Sequence, residues 1–252
     1  MLNYSEFGAA HAPATLIVHG LYGSGRNWGV IAKRLSNDLR VITVDLRNHG
    51  HSDWTETHSY PDMAQDLAEL IRHIGGPCHV VGHSMGGKAS MVLALENPEL
   101  VDRLIIADIA PVAYTHSQIQ FIEAMRRVDL STVSRRSEAE AQLADLGVEP
   151  ALQSFFTQSL DLTEKRWRLN LDVLAREMDK IMDFPDLNGA FDGRTLFLSG
   201  AASDYVTPDH RPKIKSLFPK ARFAKLPGAG HWLHADKPRE FEASVHAFLH
   251  HP

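Results

Sequence analysis

A serine stands between glycines in Gly82-His83-Ser84-Met85-Gly86-Gly87, after the apolar run His79-Val80-Val81 and before Lys88-Ala89-Ser90-Met91-Val92-Leu93. The apolar run predicts a strand, and the stretch after the glycines predicts a helix that ends at Asn97-Pro98. In a G-x-S-x-G turn between strand and helix, a Cβ at either flanking glycine would collide with the neighbouring backbone. The sequence therefore predicts Ser84 as a nucleophile on a sharp turn, with the first amides of the helix aimed at the group it attacks.

On both sides of this turn, β-rich runs alternate with helical segments. Fully apolar strands of this kind are typical of sheets that crossover helices cover on both faces. The alternation predicts an α/β fold with a mostly parallel central sheet and helices on both faces. The β-rich runs are Ala14–Val18, Arg40–Asp45, Cys78–Val81, Arg103–Asp108, Arg194–Ser199 and Arg222–Leu226.

Between Pro111 and about Asn188 the pattern changes, because no strand-like run occurs and helical spacing takes over. Apolar residues at Leu171, Leu174 and Met178 indicate one face of a last helix in this segment. We therefore expect a core made of residues 1–110 and 190–252, interrupted by a strand-free helical cap at residues 111–189.

Composition limits the classes of protein to which the chain can belong. Of its 252 residues, 44% are hydrophobic and 23% charged, and no run approaches the roughly 20 apolar residues of a membrane span. A net charge of −5 gives no basic footprint for nucleic acid. The first residues resemble no signal peptide, and Cys78 is a single cysteine. We expect a cytoplasmic protein, monomeric or a small homo-oligomer, without a membrane span.

A serine hydroxyl is a weak nucleophile and needs a histidine base, which in turn needs an acid to orient it. His231 is the best candidate base, because it lies on a glycine-containing loop after the last strand, where sites of parallel sheets form. His234 is a weaker candidate. An oxyanion hole is expected from the amides of Met85 and Leu21, the latter in the loop after His19-Gly20.

Several motifs in this order resemble the α/β-hydrolase superfamily, and within it the small YbfF-type bacterial esterases and their mitochondrial relatives. The resemblance covers nearly the whole chain. It implies a cofactor-free hydrolase of small carboxylic esters or acyl thioesters, acyl-CoA included, that works through an acyl-serine intermediate under a helical cap. The motifs are His19-Gly20-Leu21-Tyr22-Gly23-Ser24, Asp45-Leu46-Arg47-Asn48-His49-Gly50, Gly82-His83-Ser84-Met85-Gly86-Gly87-Lys88, Asp108-Ile109-Ala110-Pro111-Val112 and Gly228-Ala229-Gly230-His231-Trp232.

The resemblance leaves two candidates for the acid. Many relatives carry an aspartate in the loop after the strand that ends here at Ser199, but in this chain Ser203 stands at that position and Asp204 is displaced by one residue. The YbfF-type esterases are similar to this chain in the earlier loop, where Asp108 follows a strand. We predict Asp108 as the acid, with Asp204 as the alternative.

A capped site also needs an apolar lining. Tyr22, Phe155, Trp167 and Trp232 are candidates for it, although packing in the core is the competing interpretation for Phe155 and Trp167.

Other functions fit parts of the same pattern. The Ser84 triad also serves cofactor-free perhydrolases (haloperoxidases) and carbon–carbon bond hydrolases, whereas a haloalkane dehalogenase would need an aspartate at this position. The spacing of His49, His51 and Asp53 matches part of a zinc-hydrolase motif, but Trp54 occupies the next ligand position. A ligand-binding receptor with incidental hydrolysis is a further class, and the Ser84–His231 pair argues against it. We therefore predict an enzyme without metal or cofactor.

Overall fold

The computed structural model describes residues 1–250. Seven strands form the central sheet in the order β1-β3-β2-β4-β5-β8-β9, and all neighbours are parallel except the antiparallel pair β1 and β3. This sheet confirms the predicted α/β-hydrolase architecture. Its strands are β1 (Tyr4–Phe7), β2 (Ala14–Val18), β3 (Arg40–Val44), β4 (Cys78–His83), β5 (Val101–Ala107), β8 (Arg194–Gly200) and β9 (Ala221–Leu226).

Helices join the strands, and some of them belong to the long connection between β5 and β8. None of the helices within residues 1–250 is both long enough and apolar enough to cross a bilayer. Their bounds are α1 (Gly29–Leu35), α2 (Tyr60–His73), α3 (Met85–Glu96), α4 (Ile119–Arg127), α5 (Arg136–Asp145), α6 (Pro150–Thr157), α7 (Leu171–Arg176), α8 (Met178–Met182), α9 (Arg211–Leu217), α10 (Leu233–Asp236) and α11 (Pro238–His250).

Apolar side chains alternate across the sheet and fill a core on each face. In β2, Leu16 and Val18 belong to the core that α2 and α3 cover, whereas Ile17 belongs to the core that α1 and α11 cover. Successive side chains of a strand point to opposite faces, so a strand that is apolar throughout must be covered on both. The parallel arrangement brings the carboxyl ends of β2, β4, β5, β8 and β9 to one edge of the sheet.

The segment between β5 and β8 departs from the prediction in one respect. We expected no strand in it, but β6 (Leu160–Asp161) and β7 (Arg166–Trp167) form an antiparallel hairpin. The expectation was wrong because two-residue strands are too short to show a period of two. The last predicted helix is also divided at Glu177 into α7 and α8. The boundaries 111–189 stay a prediction, and we call these residues the 111–189 segment.

Candidate active site

Ser84 lies on a sharp turn between β4 and α3. Its backbone has φ 53° and ψ −122°, and its amide donates to the carbonyl of Ala107 at 3.1 Å. A Cβ at Gly82 would lie 2.6 Å from the carbonyl oxygen of Gly86, and one at Gly86 would lie 2.3 Å from that of His19. These distances confirm that both glycines are required by the close approach of the backbone.

A chain of hydrogen bonds joins Ser84, His231 and Asp108. His231 Nε2 lies 3.1 Å from Ser84 Oγ, and His231 Nδ1 lies 2.8 Å from Asp108 Oδ2. Because an ionised carboxylate only accepts hydrogen bonds, Nδ1 carries the proton and Nε2 is free to accept from the serine hydroxyl. This is the geometry in which a histidine acts as a general base toward serine.

The buried carboxylate of Asp108, not that of Asp204, faces His231. Asp108 has no solvent exposure, and it also accepts from the amide of Gly200 at 3.0 Å and from the hydroxyl of Ser203. Asp204 is exposed and, within the described residues, forms no hydrogen bond with His231. The arrangement favours Asp108 over Asp204 as the acid.

His234, the weaker candidate base, lies elsewhere in the site. Its ring stacks on Trp28 with the centroids 4.0 Å apart, and burial lowers its pKa to about 3. Among the described contacts, Ser84 pairs with His231 and not with His234.

Two aromatic side chains that sequence reasoning did not identify support His231. The ring of Tyr205 stacks on the imidazole at 4.0 Å, and the backbone carbonyl of Tyr205 accepts from the hydroxyl of Tyr114 at 2.7 Å. From the other side, His83 Nε2 donates to the carbonyl of His231 at 2.9 Å. Burial lowers the pKa of His83 well below its ordinary value, so this ring is a neutral donor. Neither tyrosine lies in a recognisable motif, so no sequence signal pointed to them.

The predicted oxyanion donors, Leu21 and Met85, both line the cavity above Ser84. In residues 1–250 neither backbone amide is paired with a protein acceptor. Tyr22, next to Leu21, has a left-handed backbone with φ 64°, and its amide donates to His49 Nε2 at 3.2 Å. Ser159 Oγ donates to the carbonyl of Tyr22 at 3.0 Å. The loop that carries Leu21 is therefore held at a strained residue by hydrogen bonds from two other parts of the chain.

A cavity of about 210 Å³ opens at Ser84 and is lined by three of the four predicted pocket residues, Tyr22, Phe155 and Trp232. Trp167, the fourth, does not line this cavity. Its side chain is 6% exposed and its indole nitrogen donates to the carbonyl of Met125 at 2.9 Å, so it packs in the core. Lining residues that sequence reasoning missed include Trp28, Tyr60, Lys88, Phe121, Leu152, Phe156, Ile181, Met182 and Tyr205.

A second, more apolar groove of about 410 Å³ continues from this cavity to the surface. The two share Asn27, Leu152, Phe155, Trp232 and His234 as lining residues. The groove also includes Val30, which is 64% exposed. The site therefore adjoins a partly open groove whose lining is mostly apolar.

Lys88 brings a buried cation to the cavity wall. It is 1% exposed, and Nζ donates to the carbonyls of Met182 at 2.9 Å and Asp183 at 2.6 Å. The ammonium also lies 4.8 Å from the centre of the Tyr114 ring. Burial lowers the pKa of Lys88 to about 7, because transfer out of water penalises the charged form.

The side chains of His49, His51 and Asp53 do not converge. Both nitrogens of His49 have backbone partners, the amide of Tyr22 and the carbonyl of Arg47. His51 is exposed and its ring contacts Arg168, and Asp53 is exposed. Within residues 1–250 the groups with metal-ligand spacing are Asp38, His246 and His250, which are exposed and do not line the cavity.

A nucleophile elbow on a parallel sheet, with a histidine and an aspartate converging on the serine, defines a hydrolase of the α/β type. The chain matches the model of the alpha/beta hydrolase family over residues 15–244 and belongs to that family. The sn-1-specific diacylglycerol lipase ABHD11 of Mus musculus is 44% identical over 96% of this chain and 82% of its own length. Esterase YbfF of Escherichia coli is 36% identical over 93% of this chain and 92% of its own length. A solved structure described as a marine microorganism esterase superposes with a TM-score of 0.92 at 36% identity, over 98% of both chains.

Replacement of each candidate acid by asparagine tests whether Asp108 or Asp204 orients His231. Asp108→Asn should leave the fold intact but remove the charge that orients His231, with a loss on the order of 10⁴ in kcat by analogy with serine proteases. Asp204→Asn should cost far less, since its side chain faces solvent. Steady-state kinetics on an activated ester, with melting temperature as the folding control, measures both. A severe loss at Asp204 with near-normal activity at Asp108 would reverse the assignment.

The free energy of unfolding should depend on pH through Lys88. Its folded-state pKa is about 7 and its ordinary value is 10.5, so between these values the unfolded chain binds more protons than the folded chain. The folded state is then increasingly favoured as the pH rises, by at most about 1.4 kcal/mol per pH unit. Urea unfolding of wild type and of Lys88→Met, from about pH 6 to about pH 9, should show the difference moving in favour of wild type. A difference that does not change with pH would contradict this.

Proposed function

We propose that the protein hydrolyses carboxylic esters through an acyl intermediate on Ser84. The observation that carries this proposal is the hydrogen-bond chain from Asp108 through His231 to Ser84. The amides of Leu21 and Met85, which have no protein acceptor in the described part of the chain, line the same cavity. The high coverage of relatives named as esterases and a lipase supports the ester bond as the target. The same residues could also cleave acyl thioesters, and this narrower activity is part of the proposal to be tested.

In the acylation half, His231 Nε2 removes the proton of Ser84 as Oγ attacks the ester carbonyl carbon. The carbonyl oxygen becomes an oxyanion and accepts hydrogen bonds from the amides of Leu21 and Met85, each donor being worth about 10² to 10³ in rate in comparable enzymes. Asp108 stabilises the imidazolium that forms. As the tetrahedral intermediate collapses, the bond to the leaving oxygen breaks and His231 gives that oxygen its proton.

In the deacylation half, a water molecule takes the place of the departed alcohol. His231 Nε2 removes a proton from this water as its oxygen attacks the acyl carbon. The second tetrahedral intermediate collapses, the acid leaves, and Ser84 recovers its proton from His231. No metal or cofactor takes part in the proposed sequence of steps.

The apolar groove that continues from the cavity supports substrates with a hydrocarbon chain. The mouse relative is named for lipid hydrolysis, which agrees with this shape. Side chains of the 111–189 segment, among them Phe121, Leu152 and Phe155, line the cavity. We propose that this segment acts as a cap that sets acyl preference. A cytoplasmic location and a monomer or small homo-oligomer remain predictions of the sequence.

Covalent labelling tests the nucleophile. A fluorophosphonate probe should label wild type at Ser84, and Ser84→Ala should lose both labelling and ester turnover, because no other hydroxyl in residues 1–250 is paired with His231. Peptide mapping by mass spectrometry locates the label, and initial rates on nitrophenyl esters and acyl-CoA thioesters of equal chain length compare the two leaving groups. Full turnover by a folded Ser84→Ala protein would end the proposal.

Truncation of Phe155 tests the proposed cap. Phe155 lies where the cavity and the groove meet, so Phe155→Ala should change the relative kcat/KM among esters of different chain length. Leu146→Ala is the matched control, since Leu146 is half-buried in the same segment but does not line the cavity. If Phe155→Ala changes all rates by one common factor, as the control should, the segment does not set acyl preference.

A further inference from the structure

The Lys88 side chain is the part of the cavity wall that the proposed mechanism does not use. Lys88 lies one helical turn after Ser84, its amide donating to the carbonyl of Ser84 at 3.0 Å, and both residues line the cavity. Tyr60, Tyr114 and Met182 surround the ammonium and also line the cavity. None of these three lines the apolar groove at Phe155 and Trp232. The cavity thus has a cationic region distinct from the groove.

In the part of the chain that the structure describes, this ammonium has no carboxylate in ion-pair contact, and the charge of Asp183, which raises its pKa, offsets only part of the larger effect of burial. Two of its three N–H groups donate to the carbonyls of Met182 and Asp183. Within residues 1–250, Lys88 forms no ion pair with a carboxylate, whereas other basic side chains do so along the surface, for example Arg47 with Asp66 and Lys180 with Glu177. The rings of Tyr60 and Tyr114, at 5.6 Å and 4.8 Å, give only partial compensation.

A buried charge without a partner is costly, and an apolar side chain of similar volume often stabilises a protein better at such a position. An anion bound in the cavity would supply a negative charge in direct contact with the ammonium and an acceptor for the remaining N–H group.

We propose that Lys88 binds an anionic oxygen group, a carboxylate in the simplest case, carried by the ester substrate. Lys88 is then a specificity-determining residue. It favours substrates that carry both a scissile ester at Ser84 and a negatively charged group that reaches the Lys88 ammonium. The inference rests on the proposed function, because it describes the substrate of the same site.

The two hydrogen bonds of Lys88 also connect α3 to the end of α8, and a purely structural role is the competing explanation. The two roles differ in what they discriminate. A structural tie affects every substrate alike, whereas a binding site for an anion affects charged substrates and leaves neutral ones of the same length unchanged.

Matched pairs of esters provide the test. On the acyl side, mono-4-nitrophenyl esters of dicarboxylic acids are compared with 4-nitrophenyl esters of monocarboxylic acids of equal chain length, with subtraction of spontaneous hydrolysis. On the alcohol side, butyrate esters of hydroxycarboxylic acids are compared with those of simple alcohols. Wild type should prefer the charged member on one side, and Lys88→Met should lose about 10- to 100-fold in kcat/KM for that member only.

Gln118→Met is the matched control, because Gln118 is a neutral polar residue of the same cavity wall and its replacement should affect both members of a pair equally. Equal rates of wild type on charged and neutral esters on both sides, or an equal loss of both in Lys88→Met, would overturn the inference. The wild-type comparison decides the matter even if Lys88→Met does not fold.

Hydrolysis of the neutral esters reports on the proposed function independently of Lys88. If wild type cleaves neither member of any pair, the proposed function fails, and calorimetric binding of a dicarboxylate against a monocarboxylate of equal length still tests the anion site. Binding of the dicarboxylate that is tighter by about 10-fold and lost in Lys88→Met would support it, whereas equal binding would overturn it.

Discussion

The buried carboxylate of Asp108 holds together the loops on which the site depends. Removed from water, it needs several hydrogen-bond donors, and it finds them on different parts of the chain: the Gly200 amide, the Ser203 hydroxyl and the His231 ring. The loops after β5, β8 and β9 are thereby fixed relative to one another. Ser84 joins the same arrangement because its amide is bonded to the neighbouring strand at Ala107.

Two neutral imidazoles, those of His49 and His58, contact the residues next to the expected oxyanion donors or bearing them. His49 accepts the Tyr22 amide, and His58 Nε2 lies 3.4 Å from the sulfur of Met85. Burial lowers the pKa of His49 well below its ordinary value and that of His58 to about 3, so neither ring carries a charge at neutral pH. The residues that carry the expected oxyanion donors, or lie next to them, are thus contacted by uncharged imidazoles.

The features that could be predicted from the sequence are those that depend on interactions between residues close together in the chain. The turn at Ser84 and the loop of His231 were accessible because glycine spacing and the strand–turn–helix pattern act over a few residues. The contribution of Lys88 to the cavity was not, since it depends on packing against a helix more than ninety residues away. The position of Trp167 could not be predicted for the same reason. A large aromatic side chain in the inserted segment fits a pocket or a core equally well, and in the structure its hydrogen bond to the carbonyl of Met125 places it in the core.

The hydrogen bond from Ser203 to Asp108 joins the loop after β8 to the acid of the triad. The Ser203 hydroxyl and the His231 ring both bond to the same oxygen of Asp108, and Ser203 stands at the position that resembles the one used for the acid in many relatives. The histidine requires a negative charge at a point in space, whichever strand supplies it. A residue of the loop after β8 therefore serves the triad as a donor to the acid, without being the acid itself.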